Sequence, residues 1–210
     1  MNSIYILSLL AVGFLYCVEA QQSKPSFCRR YDCPLFTTVS SNSDYEHRSY
    51  QPSKWVSTRV LGGTHREAGS TSFASYLHTS VAGMKKVNMK MDMTVPVIAK
   101  VIPTADGEGM NADYTYSFFI PFEHQENTPA PSSDDVFLEE MPAFEAYVRD
   151  FGGWAYESDY ISNARLLKAD LDRDNVDYDD SFYYTVGYDS PFRWFFRRNE
   201  VWIVKRTSTA

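Results

Sequence analysis

Two glycine pairs, Gly62-Gly63 and Gly152-Gly153, stand 90 positions apart (152 − 62) in a chain of 210 residues. An extended stretch precedes each pair. A helical pattern and two further extended stretches follow each. Residues 45–122 and 136–206 therefore repeat one β-α-β-β unit, an internal duplication rather than a solenoid. Each copy builds an antiparallel sheet whose apolar face needs a cover. The expected fold is α+β: a duplicated β-α-β-β unit forming a distorted antiparallel β-barrel flanked by two helices.

The local patterns fill in this frame. Tyr45 to Arg48 begins a strand, Pro52 interrupts it at a bulge or edge, and Trp55 to Val60 resumes it, with Val56, Thr58 and Val60 on one face. Thr64 and Glu67 have capping-box spacing and open a first helix carrying Phe73, Tyr76, Leu77 and Val81 at i, i+3, i+4 and i+8, with Gly83 placed to end it. Met89, Met91, Met93, Val95, Val97, Ala99 and Val101 fall on one face of a long strand, so the methionines read as core rather than as soft metal ligands. A strand over Tyr114 to Phe122 follows, and residues 136–141 and 143–151 are extended. The second helix spans about Ala155 to Asp172, with Tyr160, Ala164, Leu167 and Leu171 on its stripe. The last two strands flank a connector holding Trp194, Phe195 and Phe196. Three consecutive large aromatics in a loop point to something that they cover.

The first twenty residues stand apart. Ile4 to Val18 is apolar, and Val18 and Ala20 occupy the small-residue positions before Gln21. Residues 1–20 read as a signal peptide and the protein as secreted, because the run is shorter than the ~20 residues a membrane span needs. Cys17 would leave with that leader, so Cys28 and Cys33 remain in a polar N-terminal arm over residues 21–34. In an oxidising compartment they are expected to form a disulfide; the alternatives are free or metal-bound thiols, although C-x₄-C without a nearby histidine is a poor zinc site. The formal charge of −7 becomes −6 when Glu19 leaves with the leader, and no basic run occurs. That balance argues against a nucleic-acid partner. No later stretch is apolar enough for stable membrane insertion.

Five stretches resemble the SOUL family, also called the haem-binding protein family. They are Cys33-Pro34 with Tyr45-Glu46-His47-Arg48 and Trp55-Val56-Ser57-Thr58; Lys90-Met91-Asp92-Met93-Thr94-Val95-Pro96-Val97; Phe151-Gly152-Gly153-Trp154-Ala155; Gly187-Tyr188-Asp189-Ser190-Pro191; and Arg197-Arg198-Asn199-Glu200-Val201-Trp202. Order and spacing agree from Cys33 to Lys205. The resemblance implies one SOUL domain over residues 35–210, the architecture drawn above, and non-covalent binding of haem or a related porphyrin without a catalytic centre. It places a shallow site between the first helix and the loop joining the last two strands. The residues at those positions are Phe73, Tyr76, Leu77, Val81, Lys85, Phe192, Arg193, Trp194 and Phe195, with Arg66 and Lys86 as further cations for propionates. His78 follows Leu77 and is the candidate axial ligand; the histidine that some members carry at the position matching Ser49 is absent here, and His47 lies two residues earlier. Phe73 and Leu77 equally suit a plain core-facing stripe.

No nucleophile elbow, zinc-protease, P-loop or dinucleotide motif occurs, so no catalytic residues are expected. Related folds use a buried carboxylate for cationic ligands, but Glu200 reads as a structural carboxylate. The acidic run from Asp170 to Asp180 lacks calcium-loop spacing and reads as a solvated turn. The expected function is a secreted haem or tetrapyrrole carrier, scavenger or buffer. The alternatives are a binder of another apolar ligand, a protein-interaction module on the same fold, or an enzyme acting on tetrapyrroles.

Overall fold

The computed structural model describes residues 24–81, 92–131 and 133–207, with side chains except those of 76–81. The elements are β1 (Phe36–Ser41), β2 (Glu46–Tyr50), β3 (Ser53–Leu61), α1 (His65–Val81), β4 (Val97–Pro103), β5 (Met110–Phe119), β6 (Phe137–Met141), β7 (Phe144–Phe151), α2 (Glu157–Arg173), β8 (Tyr183–Gly187) and β9 (Asn199–Val204). Short 3₁₀ turns cover Ser26–Cys28 and Phe122–His124.

The nine strands among the described residues form one antiparallel sheet in the order β1-β2-β7-β9-β8-β4-β5-β3-β6. The duplication is legible in this order. One copy contributes β3·β5·β4, the other β7·β9·β8, and β4 and β8 join them at the centre. The first strand of each copy crosses over: β2 pairs with β7 of the second copy, and β6 with β3 of the first.

That exchange bends the sheet. Only Gln51 and Pro52 separate β2 from β3, yet the two strands lie six places apart in the sheet. Six strand spacings on a flat sheet would need ~29 Å, and three residue steps reach at most ~11 Å. Met141 and Phe144 set the same limit between β6 and β7. The sheet must curl until its flanks meet, which gives a distorted barrel. The hydrogen-bond ladder still ends at β1 and β6, so the barrel is open.

Alternation then assigns every strand an inner and an outer row. The outer row, including Val56, Ala99, Val101, Tyr116, Phe118, Val201 and Ile203, packs with Ala68 of α1 and with Tyr160, Ala164, Leu167 and Leu171 of α2. The inner row holds Trp55, Ile98, Phe119, Val148, Val186 and Trp202. The N-terminal arm fills part of the inner side: Cys28 and Cys33 are disulfide-bonded and buried in this cluster beside Phe27 and Tyr31.

Helix starts follow the sequence closely. The Thr64 amide donates to the Glu67 carboxylate at 2.9 Å, and the Glu67 amide donates back to Thr64 Oγ1 at 3.3 Å. In α2 the Tyr156 amide donates to Asp159 at 2.8 Å, so the helix starts at Glu157 rather than Ala155.

Several expectations are corrected. Pro52 is no bulge within one strand: it lies in the link between strands on opposite flanks. β1 has no counterpart in the sequence reading. β4 begins at Val97, not at Met89. Thr94 Oγ1 donates to the Phe119 carbonyl at 2.6 Å and the Val95 amide to the Asp32 carbonyl at 3.0 Å, so this stretch is tied to β5 and the arm, ahead of the cis Val95–Pro96 bond. Met93 is 46% exposed and is not core. Met89, Met91 and Gly83 lie outside the described residues. β5 ends at Phe119, and Phe122 sits half-exposed in the 3₁₀ turn beyond it.

Candidate functional site

One row crosses the sheet near its end. Phe118 pairs with Val97, Val97 with Gly187, Gly187 with Asn199, and Asn199 with Phe151. Three features reach this row. The loop 188–198 leaves from Gly187 and returns at Asn199. The Gly152–Tyr156 segment leaves Phe151 to start α2. And α1 runs from His65, whose carbonyl accepts from Tyr116 Oη at 2.6 Å, to Phe73, whose ring lies 6.4 Å from Phe118. The expected helix and loop are thus at the same end of the barrel.

The loop presents aromatics outward. Phe192, Trp194, Phe195 and Phe196 are 88%, 73%, 77% and 90% exposed. Trp154 meets Trp194 edge-on at 6.1 Å, and Tyr156, two residues further on, is exposed. The loop is braced by its own polar groups. Arg197 donates to the carbonyls of Ser190, Arg193 and Asp189, and its guanidinium lies 4.2 Å from the Trp154 ring centre. Arg193 donates to the Phe196 carbonyl at 3.1 Å and lies 3.2 Å from Asp189. Asp189 also accepts from Arg29 of the arm and from the Arg198 amide. Phe196 itself has φ = 52°, a left-handed conformation uncommon for a bulky residue.

The named site residues are distributed as follows. Phe192, Arg193, Trp194 and Phe195 form the loop tip, and Phe73 is 38% exposed on α1, half on Phe118 and half toward solvent. Tyr76, Leu77, His78 and Val81 lie on the last turns of α1, and their side chains are outside the description. Lys85 and Lys86 lie outside the described residues. Arg66 is exposed on the first turn of α1. Phe196, already singled out with Trp194 and Phe195 as a loop aromatic, belongs to this surface, while Trp154 and Arg197 were missed as members of it. A signal existed for Trp154: it follows the second glycine pair, at the helix entry that the duplication sets beside the closing loop.

The other three histidines are engaged. His65 is half-buried among Tyr114, Tyr116 and Tyr160 and bonds Thr185 Oγ1 at 2.8 Å. Burial pushes its pKa down to about 4. His47 contacts Glu145 at 2.8 Å, and His124 contacts Glu123 at 3.2 Å.

Glu200 lies fully buried on the inner side of β9. Arg48 reaches it at 3.1 Å, Arg198 at 2.7 Å, Trp202 Nε1 at 2.7 Å and Tyr188 Oη at 2.9 Å. Burial alone would raise its pKa, but the two guanidiniums override this and hold the carboxyl below its usual range. With two cations and two neutral donors satisfying it, this carboxylate is structural. The acidic run is likewise engaged within the protein: Asp170 pairs with Arg149 and Arg173, Asp174 with Arg173, and Asp177 with Arg206, while Asp172 accepts from Tyr178 and Asp179 from Ser181.

Comparison with known proteins gives a consistent answer. The pattern of the family described as SOUL heme-binding protein matches residues 31–204. Heme-binding protein 2 of Homo sapiens is 35% identical over 162 residues, covering 77% of this chain and 78% of that protein. Heme-binding protein 1 of Mus musculus is 33% identical over 171 residues, covering 81% and 89%. Among solved structures, the EcmrR C-terminal domain superposes with a TM-score of 0.56 at 12% identity, covering 78% of this chain and 99% of that one. At that identity the likeness concerns the fold alone.

Proposed function

The chain belongs to the SOUL heme-binding protein family, and from that premise we propose that it is a secreted protein that binds haem or a related porphyrin reversibly, as a carrier, scavenger or buffer. The observation that carries the reading is the aromatic loop: Phe192, Trp194 and Phe195 stand at least 73% exposed at the end of the barrel to which α1 runs. Haem supplies a flat apolar macrocycle and two carboxylates. Rings of this size, held on a braced loop, suit the macrocycle. Phe73, Tyr76, Leu77 and Val81 of α1 form the opposite wall in this reading. Arg66 and Lys85 are the proposed propionate partners, because Arg193 already shares Asp189 with Arg29. His78 is the proposed axial ligand, since His47, His65 and His124 each have a partner. No catalytic step is proposed.

Secretion is supported by the leader-like residues 1–20 and by the Cys28–Cys33 disulfide, a bond favoured in oxidising compartments. Expression in a secreting cell should release a chain beginning at Gln21.

The test is a haemin titration followed at the Soret band. A saturable shift at micromolar haemin is expected, weakened at least about tenfold in Trp194→Ala/Phe195→Ala. An altered Soret position in His78→Ala would support axial ligation. A titration without saturation would overturn the reading.

A further inference from the structure

We infer that the tip of the loop 188–198 is an anchor for an anionic lipid surface, with Phe192 and Phe196 as its inserting side chains. The inference goes beyond haem binding and does not depend on it. Phe192 and Phe196 are the most exposed large apolar residues among the described ones, at 88% and 90%. Aromatic side chains at a protruding tip partition into the interfacial layer of a bilayer, with indole groups at headgroup level. Trp194 of the tip packs edge-on against Trp154.

Charge selects the occupant. The loop carries Arg193 and Arg197 against one acid, Asp189, and Arg29 of the arm joins them through Asp189; Arg198 turns to Glu200 and Asp150 and is not part of this balance. This cationic base lies beneath an apolar tip on a chain of formal charge −7. A second copy docking tip to tip would bring two such bases together, and like charges repel. Lipid phosphates and carboxylates complement them.

The backbone points the same way. Phe196 holds φ = 52° while its carbonyl accepts from Arg193 and its ring faces solvent. A bulky residue in this conformation is unfavourable, and within the protein its ring gains no cover in return. The loop is braced beneath the tip by Arg193 and Arg197, so little ordering remains to be supplied on docking.

The test uses the full chain without haem, sedimented with phosphatidylcholine vesicles made with and without phosphatidylserine. Binding to the phosphatidylserine vesicles is expected, with weakening at high salt. The tryptophan emission should shift to the blue, because Trp55 and Trp202 are already buried and Trp154 and Trp194 are not. Phe192→Ser/Phe196→Gly should lower binding at least about tenfold. Its thermal unfolding, measured alongside, shows whether the fold survives; if it does not, Phe196→Gly alone should still lower binding several-fold. Lack of binding to either vesicle, or equal binding by the variants, would overturn the inference. So would a concentration-dependent dimer abolished by the same substitutions in a protein that ignores vesicles, which would make the tip a contact between copies. A haemin titration of the same proteins is separate, so either reading can fail alone.

Discussion

Glu200 and Phe196 lie four positions apart and invert the usual rule of burial. The carboxylate is 0% exposed and the phenyl ring 90% exposed. What separates them is how completely each is satisfied. Glu200 has Arg48, Arg198, Tyr188 and Trp202 around its two oxygens. A buried ion so supplied is part of the framework. Phe196 and its neighbours have no comparable cover, although their backbone is firmly held. Within one hairpin, the group that looks chemically reactive is structural, and the group that looks inert is the one left uncovered.

The comparison breaks first if Glu200 proves dispensable. Glu200→Gln removes the buried counter-charge shared by two guanidiniums, leaving Arg48 with the half-exposed Glu46 and Arg198 with the exposed Asp150. Stability should fall by about 3–5 kcal/mol, read from the urea midpoint. Loss of less than about 1 kcal/mol would mean that the pair behaves like a surface bridge, and Glu200 would again be a ligand-site candidate.

His65 gives a second, pH-resolved test of the framework side. Burial holds its folded pKa near about 4 against an ordinary 6.5. The unfolded chain therefore takes up a proton below pH 6.5 that the folded chain refuses until about pH 4. Stability falls as pH drops through that window and levels off below it, by about 3 kcal/mol in all. The urea midpoint of wild type should drop accordingly between neutral pH and pH 4, and that of His65→Gln should be flatter. Glu200 acts at a lower pH, because its carboxyl is held below the usual range: its contribution is present above the unfolded carboxylate pKa and is lost as pH falls through the depressed one. Loosening around His65 would also reach the site, since His65 anchors α1 to β8 through Thr185 and to α2 through Glu157.

Much of this was legible in the chain because alternation and capping are local. Trp202, Val201 and Ile203 sort onto the two faces of β9 as their order requires, and Thr64 and Glu67 cap α1 three residues apart. The duplication fixed which strands correspond. Partners distant in sequence were not legible. Arg48 meets Glu200 across 152 positions, and nothing in Glu46-His47-Arg48 marks the arginine as the buried one. β1 escaped because Phe36–Ser41 has one half-buried residue followed by five exposed ones, so no alternation exists to read. Met93 misled because a period of two continued through Pro96, where the ladder does not. The loop was visible as an anomaly of composition, and the second glycine pair marked Trp154 at a helix entry, but the edge-on contact of Trp154 with Trp194 required the strand order.

Phe196 gives the smallest effect and the sharpest contrast. Its ring is exposed, so removing the ring should cost the fold little; its backbone is left-handed, so a residue without Cβ should relieve it. Phe196→Ala keeps the unfavourable conformation and should match wild type within about 0.5 kcal/mol. Phe196→Gly should exceed Phe196→Ala by up to about 1 kcal/mol, the left-handed penalty less the entropy glycine loses on folding. Thermal unfolding of the pair measures this difference with the ring absent from both. If Phe196→Ala instead unfolds well below wild type, the ring has cover within the protein, and the loop would belong with Glu200 as framework.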